Sequence, residues 1–480
     1  MIHAADGPLT LRADLCVIGS GAGGSTAATV AAEAGLSVVV LEPGELLTPG
    51  DMCQREEVMF PRLFWDNGAR TSADRLVKIH QGRGVGGSTL HNLNLCKRIP
   101  DPIRARWDLP IDWDPLYAEV EAMLSVSEVS PEQVNRHNAL LRDAVAALGW
   151  RGGPLRHNRT GCVGSGFCEV GCAFDAKNNA AKVLLPRLVR AGGEVIARCQ
   201  AVRVTHARGR VTGVDAVALD AVTRLPVGEV RVEAARVCVS ASATGTAAVL
   251  HRSGLGEGVG DTLRIHPAIV VAGDFDEPVR AWQGVPQSWE CTEHLRLEEP
   301  DGPRVWIVPA FAHPVATALL VPGLGDDHAR WMRRYAHLGA LTAMIHDHTA
   351  GRVRPRGDLG LRIDYALADA DLRELGRGAE ASAKLLFAAG ARRVMLPDRR
   401  VVTRPEDVGE VVVRPGEADL TAVHPMGTVP MGGPVDARGR HGEVDGLWVA
   451  DASLFPTSIG GPPQLTTYAL GLHVGRALAS

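Results

Sequence analysis

Aromatic residues make up only 4% of the 480-residue chain, nine Trp, four Tyr and eight Phe, so little stacking surface exists for bases or other flat aromatic ligands. A formal net charge of −4 and a pI near 6.5 supply no basic field, and no nucleic-acid partner is expected. No run of about 18 apolar residues occurs, so no membrane span is expected. The first predicted strand is entered within about 15 residues of Met1, too early for a secretory leader, and the expected compartment is the cytoplasm. Internal repeats and low-complexity segments are absent, and no serine stands in a nucleophile elbow, which disfavours hydrolysis. Nine cysteines, an odd number without an export signal, read as reduced thiols or ligands rather than as a disulfide framework.

What is present is an ordinary globular composition, 45% hydrophobic and 22% charged, long enough for two or three domains. Near the start, an apolar strand, Leu15 to Ile18, runs into Gly19-Ser20-Gly21-Ala22-Gly23-Gly24, then an Ala-rich helix from Ser25 to Ala34 and a strand, Ser37 to Leu41, ending at Glu42. Gly19 permits the tight turn, Gly21 lets the backbone approach a pyrophosphate, and Gly24 lets the helix pack closely, its N-terminal N–H groups facing the phosphates. A carboxylate at Glu42 can accept both ribose hydroxyls, which favours FAD or NAD over a 2′-phosphorylated cofactor.

Further along stand a second glycine segment, Gly82-Arg83-Gly84-Val85-Gly86-Gly87-Ser88-Thr89-Leu90-His91-Asn92, a predicted strand carrying Ser-Ala-Thr-Gly-Thr at 242 to 246, His424-Pro425, and a last segment from Asp451 to Pro462-Pro463-Gln464-Leu465-Thr466. With the first turn and Glu42, these features in this order resemble the glucose-methanol-choline (GMC) family of flavin oxidoreductases along nearly the whole chain. The resemblance implies an α/β fold: a Rossmann-like FAD-binding domain and an α+β substrate-binding domain of antiparallel sheet plus helices. Residues 1–100, 185–270 and 417–480 would build the FAD domain, 101–184 a lid and cysteine-containing connection, and 271–416 the substrate domain. Gly351 to Tyr365 alternates as a hairpin does, and Asp369 to Ala389 has helical spacing.

The resemblance also implies the contacts of FAD: Gly19, Gly21, Ala22, Gly23, Gly24 and Glu42; Gly82, Arg83, Gly86, Gly87, Ser88, His91 and Asn92; Val202, Ala243 and Gly245; and Asp451, Ala452, Pro463, Gln464 and Leu465. Hydride removal from an alcohol carbon requires that the hydroxyl proton leave as well, so a base must reach the oxygen while the carbon faces flavin N5. By resemblance His424 is that base. Many family members carry an Asn or a second His where this chain has Pro462, and proline offers neither a polar side chain nor an N–H. Either His424 works with a partner from elsewhere, Asn92, Gln464 or a substrate-domain residue, or the chemistry is altered. His91 matches the position of the linking histidine in relatives with covalent flavin, so the FAD is expected either to be bonded to it or to lie under its ring.

Cys162, Cys168 and Cys172 overlay three positions of a bacterial ferredoxin run, with Ser165 on the other; the same spacing suits a structural loop of thiols. His346-Asp347-His348 lacks a third ligand nearby and reads as substrate-domain wall. The leading reading is an FAD-dependent dehydrogenase or oxidase that takes an alcohol to a carbonyl, with a polar metabolite such as a sugar or amino sugar favoured by the scarcity of aromatics. The electron acceptor is oxygen, a quinone or a partner protein. Alternatives of other classes are a redox-neutral lyase or decarboxylase on the same fold, and an electron-relay flavoprotein without its own substrate.

Overall fold

The computed structural model describes residues 1–480 and is built on two sheets. Strand β1, Leu9–Ile18, alternates half-buried and exposed residues over its first six positions and is wholly buried over Leu15 to Ile18, as a central parallel strand covered on both faces must be. It turns at once into helix α1, Ala22–Glu33, and returns as β2, Val38–Leu41, parallel to β1. The first sheet runs Ile2–Ala4, Glu194–Ala197, β2, β1, Pro226–Val239, Arg210–Leu219, Cys199–Ala207, with Leu447–Val449 also paired to Pro226–Val239. Its strands from Ile2–Ala4 to Pro226–Val239 are parallel, as is Leu447–Val449; the last two form an antiparallel flap.

This order brings the C-terminal ends of β1, β2, Pro226–Val239 and Leu447–Val449 to one edge. Sheets of this kind leave a ligand crevice outside those ends, where neighbouring strands connect in opposite directions. Ser242–Ala243–Thr244–Gly245–Thr246, expected in a strand, instead opens helix α2, Ser242–Arg252, directly after Pro226–Val239. Cys16 and Cys238 lie fully buried in paired strands of this sheet.

The second sheet is antiparallel except at one edge. It includes β3, Ala268–Asp274, and β4, Leu338–Ile345, flanked by Arg393–Met395 on one side and Val305–Pro309 on the other. Alternation sets the two faces: Ala268, Val270, Thr342 and Met344 point to a cavity, while Ala343 packs beneath the helix Asp369–Ala388, where a Cβ on Gly378 would come within 2.8 Å of the Ala343 methyl. The expected hairpin forms from Arg352–Arg356 and Gly360–Asp364, and the expected helix spans Asp369–Ala388. The second sheet also takes Val77–Ile79, Gly152–Pro154 and Leu420–Ala422 from segments expected in the FAD domain and the lid. Helix α3, Gln464–Ala479, closes the chain against α1. No helix is long and apolar enough to cross a membrane.

Candidate active site

A cavity of about 450 Å³ runs from the crevice of the first sheet to the open face of the second. Its floor is the first glycine turn. Gly19 sits at φ +104°, in the left-handed region, and a Cβ there would lie 2.2 Å from the Ser240 carbonyl oxygen, so only glycine closes this turn. Gly21 differs: its φ of −70° suits any residue, and a Cβ would meet no atom within 4 Å because it would enter the cavity. That open cradle at the N-terminus of α1, where N–H groups lack intrahelical partners, has the shape and polarity for a pyrophosphate.

Glu42, at the end of β2, is buried and lines the cavity. Its Oε2 accepts the Ser20 hydroxyl at 2.7 Å and the Ser20 N–H at 3.2 Å, and its Oε1 accepts the N–H groups of Gly44 and Gly84 at 2.9 and 3.2 Å. The carboxylate therefore ties the first glycine turn to the second, and a ribose would share oxygens with these backbone donors. Burial pushes its pKa up against the pull of those bonds. Ser20, which sequence reasoning passed over, completes the tie by accepting the Gly86 N–H at 2.9 Å. Asp451, also buried with its pKa raised by burial, accepts the Thr246 hydroxyl at 2.5 Å and the Ser453 N–H at 2.8 Å, joining the third segment to α2.

Of the other expected cofactor residues, Ala22, Gly23, Gly82, Gly87, Ser88, Ala243, Gly245, Ala452, Pro463 and Gln464 line the same cavity. Gly24, Arg83, Gly86, Val202 and Leu465 do not: Gly24 packs against Gly19, Arg83 donates to the Pro43 carbonyl, and Gln200 and Ala201 face the cavity in place of Val202. Leu465 is buried in α3.

His91 is buried against the Phe64 ring, 4.1 Å between centroids, and lines the cavity; its Nε2, buried beside Gly82, has no hydrogen-bond partner. Burial, aided by the Lys177 charge, pushes its pKa down to about 3, so the ring is neutral and nucleophilic. Lys177 carried no sequence signal, yet its buried Nζ donates to the carbonyls of Leu90, Asn92 and Cys168 at 2.9, 2.5 and 2.9 Å, clamping the turn that presents His91.

His424 stands where the crevice meets the second sheet, with part of its ring facing the cavity. The partner sought for it is neither Asn92 nor Gln464. Those two bond each other, Asn92 Nδ2 to Gln464 Oε1 at 2.7 Å, and Gln464 Nε2 is spent on the Leu95 carbonyl at 2.7 Å. The contact comes from His266, whose Nδ1 lies 3.2 Å from His424 Nδ1. His266 is fully buried, just before β3, at φ +52°. Asp347 holds that strained backbone by accepting the N–H groups of Ile265 and His266 at 2.9 and 3.3 Å and the Tyr365 hydroxyl at 2.6 Å, which gives His346-Asp347-His348 its structural work. Burial and then the neighbouring His266 hold the His424 pKa well below the ordinary imidazole range.

Beyond His424 the wall carries several large apolar side chains. Trp306, Met344, Val270, Phe311 and Leu320 line it, and the polar side chains of Thr342, Thr421 and Gln287 stand among them. The cysteine run lies elsewhere, around a void of about 10 Å³ shared by Cys162, Cys168 and Cys172. Burial pushes the Cys168 thiol up to about 11, and no three His, Cys, Asp or Glu side chains are grouped to hold a metal.

Two family models, both described as GMC oxidoreductase, match residues 17–268 and 347–471. The chain is 36% identical to an uncharacterised GMC-type oxidoreductase of Mycobacterium tuberculosis over 99% of its own length and 77% of the relative's. It is 25% identical to a long-chain-alcohol oxidase of Arabidopsis thaliana over 98% of its length and 67% of that protein's. Among solved structures, pyridoxine 4-oxidase from Mesorbium loti superposes with a TM-score of 0.73 at 20% identity, covering 97% of this chain and 98% of the other. The glycine turns, the strand-end crevice and the two family matches agree: this chain belongs to the GMC oxidoreductase family.

Proposed function

We propose that this FAD-dependent oxidoreductase oxidises the CH–OH group of an alcohol carried on an apolar chain, with His424 meeting the hydroxyl. The observation that carries the reading is the placement of His424 between a crevice built for a dinucleotide and a chamber walled by Trp306, Met344, Val270 and Leu320. When bound, FAD supplies the acceptor for the hydride. The chain's own residues do the rest. Apolar side chains hold the substrate and exclude water, and the imidazole of His424 engages the hydroxyl oxygen, where charge develops as the hydride and the proton leave. Each methylene buried against these apolar side chains contributes about 0.8 kcal/mol. The long-chain-alcohol oxidases among the relatives support the same direction.

Anaerobic reduction of the bound flavin by a panel of alcohols tests this. The expected result is faster reduction at a given concentration as a primary alcohol's chain lengthens, with sugars and amino sugars poor. Best activity on sugars would reverse the substrate class. No reduction by any alcohol would favour a lyase or relay role instead.

We further assign His91 as the attachment point of the flavin, on the strength of its place in the cavity lining and its unpartnered Nε2. Acid precipitation is expected to leave the yellow colour in the pellet, and a tryptic peptide spanning residue 91 to carry the flavin mass. Colour moving entirely to the supernatant refutes the link and leaves His91 as packing for the ring.

A further inference from the structure

We propose that His266 is a positioning residue that fixes His424 as the tautomer carrying its proton on Nε2, so that the site rests with a hydrogen-bond donor toward the substrate oxygen. The inference deepens the role given to His424 above and rests on that reading.

The Gly460 N–H can only donate, and it lies 3.0 Å from His266 Nε2, which must therefore accept. A neutral imidazole has one proton, so that of His266 is on Nδ1. Its one partner is His424 Nδ1, at 3.2 Å, which must accept in turn. The proton of neutral His424 is then on Nε2. The alternative tautomer would set the Gly460 N–H against an N–H of His266 inside the protein, where two opposed donors lose both bonds. Escape by charging His266 is closed as well, because burial pushes its pKa down to about 3. A half-turn of its ring would give up both the Gly460 and the His424 contacts.

The consequence is a polarity for the site. A His424 that presents Nε2–H at rest binds an oxygen lone pair, whether of alcohol, alkoxide or carbonyl, and its lone pair on Nδ1 is already used. Proton uptake at Nε2 requires the pair to leave this resting arrangement, and His266 opposes it.

Nitrogen-15 NMR of histidine-labelled holoenzyme tests the assignment, with the His424 signals identified by their loss in His424→Gln. We expect a directly bonded proton on Nε2 and a lone-pair shift at Nδ1. In His266→Phe, which keeps a ring and loses the donor, both tautomers of His424 should appear while the flavin remains bound. A proton found on Nδ1 of His424 in the unmodified enzyme overturns the proposal, and that measurement does not depend on any variant folding. A single Nε2–H tautomer persisting in a folded His266→Phe overturns the role of His266. Neither outcome touches the substrate assignment, which stands or falls on the alcohol panel.

Discussion

Gly21→Trp is expected to purify as folded, colourless protein. This glycine differs from Gly19 in what a side chain would meet. At Gly19 a side chain would need φ +104° and would strike the Ser240 carbonyl at 2.2 Å, so a substitution there breaks the turn and the result says nothing about the cofactor. At Gly21 the backbone already sits at φ −70°, and the new Cβ meets no protein atom within 4 Å. An indole at position 21 therefore fills space that belongs to the ligand and to nothing else. It would also cover the N–H groups at the start of α1, which have no partner within the helix. Flavin occupancy should fall from near full to near zero, read by absorbance after gel filtration. The variant's melting temperature should match that of the wild-type apoprotein, because the stabilisation that a tightly bound ligand adds to the native state is all that is lost. Full occupancy in the variant would remove this turn from the cofactor site.

The contrast between the two glycines shows what kind of information the sequence carries. β1, α1 and β2 were legible because every signal for them is local: an apolar run, a glycine turn, an Ala-rich helix and an acid follow one another within 34 residues of Leu9. Even there the helix begins at Ala22 rather than at Ser25, since the turn glycines themselves take helical geometry. The second sheet was less legible. Val77–Ile79 and Leu420–Ala422 are three residues each, pair with one another across the chain, and carry no periodicity that a window could detect. Ser242 to Thr246 looked like a strand because it follows closely on Val237-Cys238-Val239, but the chain breaks direction at Ser242, which sits at φ +67°.

For the site, residue types bound to a motif were visible and residues recruited by packing were not. His424 stands in a recognisable segment; His266, 158 positions earlier, has nothing around it that distinguishes it from the other 16 histidines. Lys177 was equally silent, because a buried lysine satisfied by three carbonyls needs no partner of opposite charge in the sequence. The expectation of a polar substrate rested on a different kind of signal. Aromatic content averages over 480 residues, whereas the chamber is decided by a few, and those few are Trp306, Met344, Val270 and Leu320.

His424→Ala is expected to lower the rate constant of flavin reduction by about 10² to 10⁴ while FAD stays bound, which is the range for losing a positioned proton-transfer group. The loss should fall on the limiting rate and not on substrate affinity, since the chamber that binds the rest of the substrate is built from other side chains. Its size does not depend on which way the hydrogen bond runs. An imidazole that takes the proton and one that donates Nε2–H to the developing carbonyl oxygen both act on charge that forms only as the hydride leaves. The pH profile adds a sign. With its pKa held below the ordinary 6.5 by burial and by His266, His424 stays neutral as the pH falls through that value, so the wild-type rate should hold there, and its acid limb should lie lower. Alanine also strands the buried Nδ1–H of His266, at a cost of about 1–3 kcal/mol in stability, so a control is needed. His424→Gln supplies one: its amide oxygen can accept from His266 Nδ1 and restore stability, yet it neither titrates nor presents an imidazole N–H to the substrate. If His424→Gln is as stable as wild type and as slow as His424→Ala, the chemistry belongs to His424. A reduction rate within about tenfold of wild type in both variants would move the role to another residue.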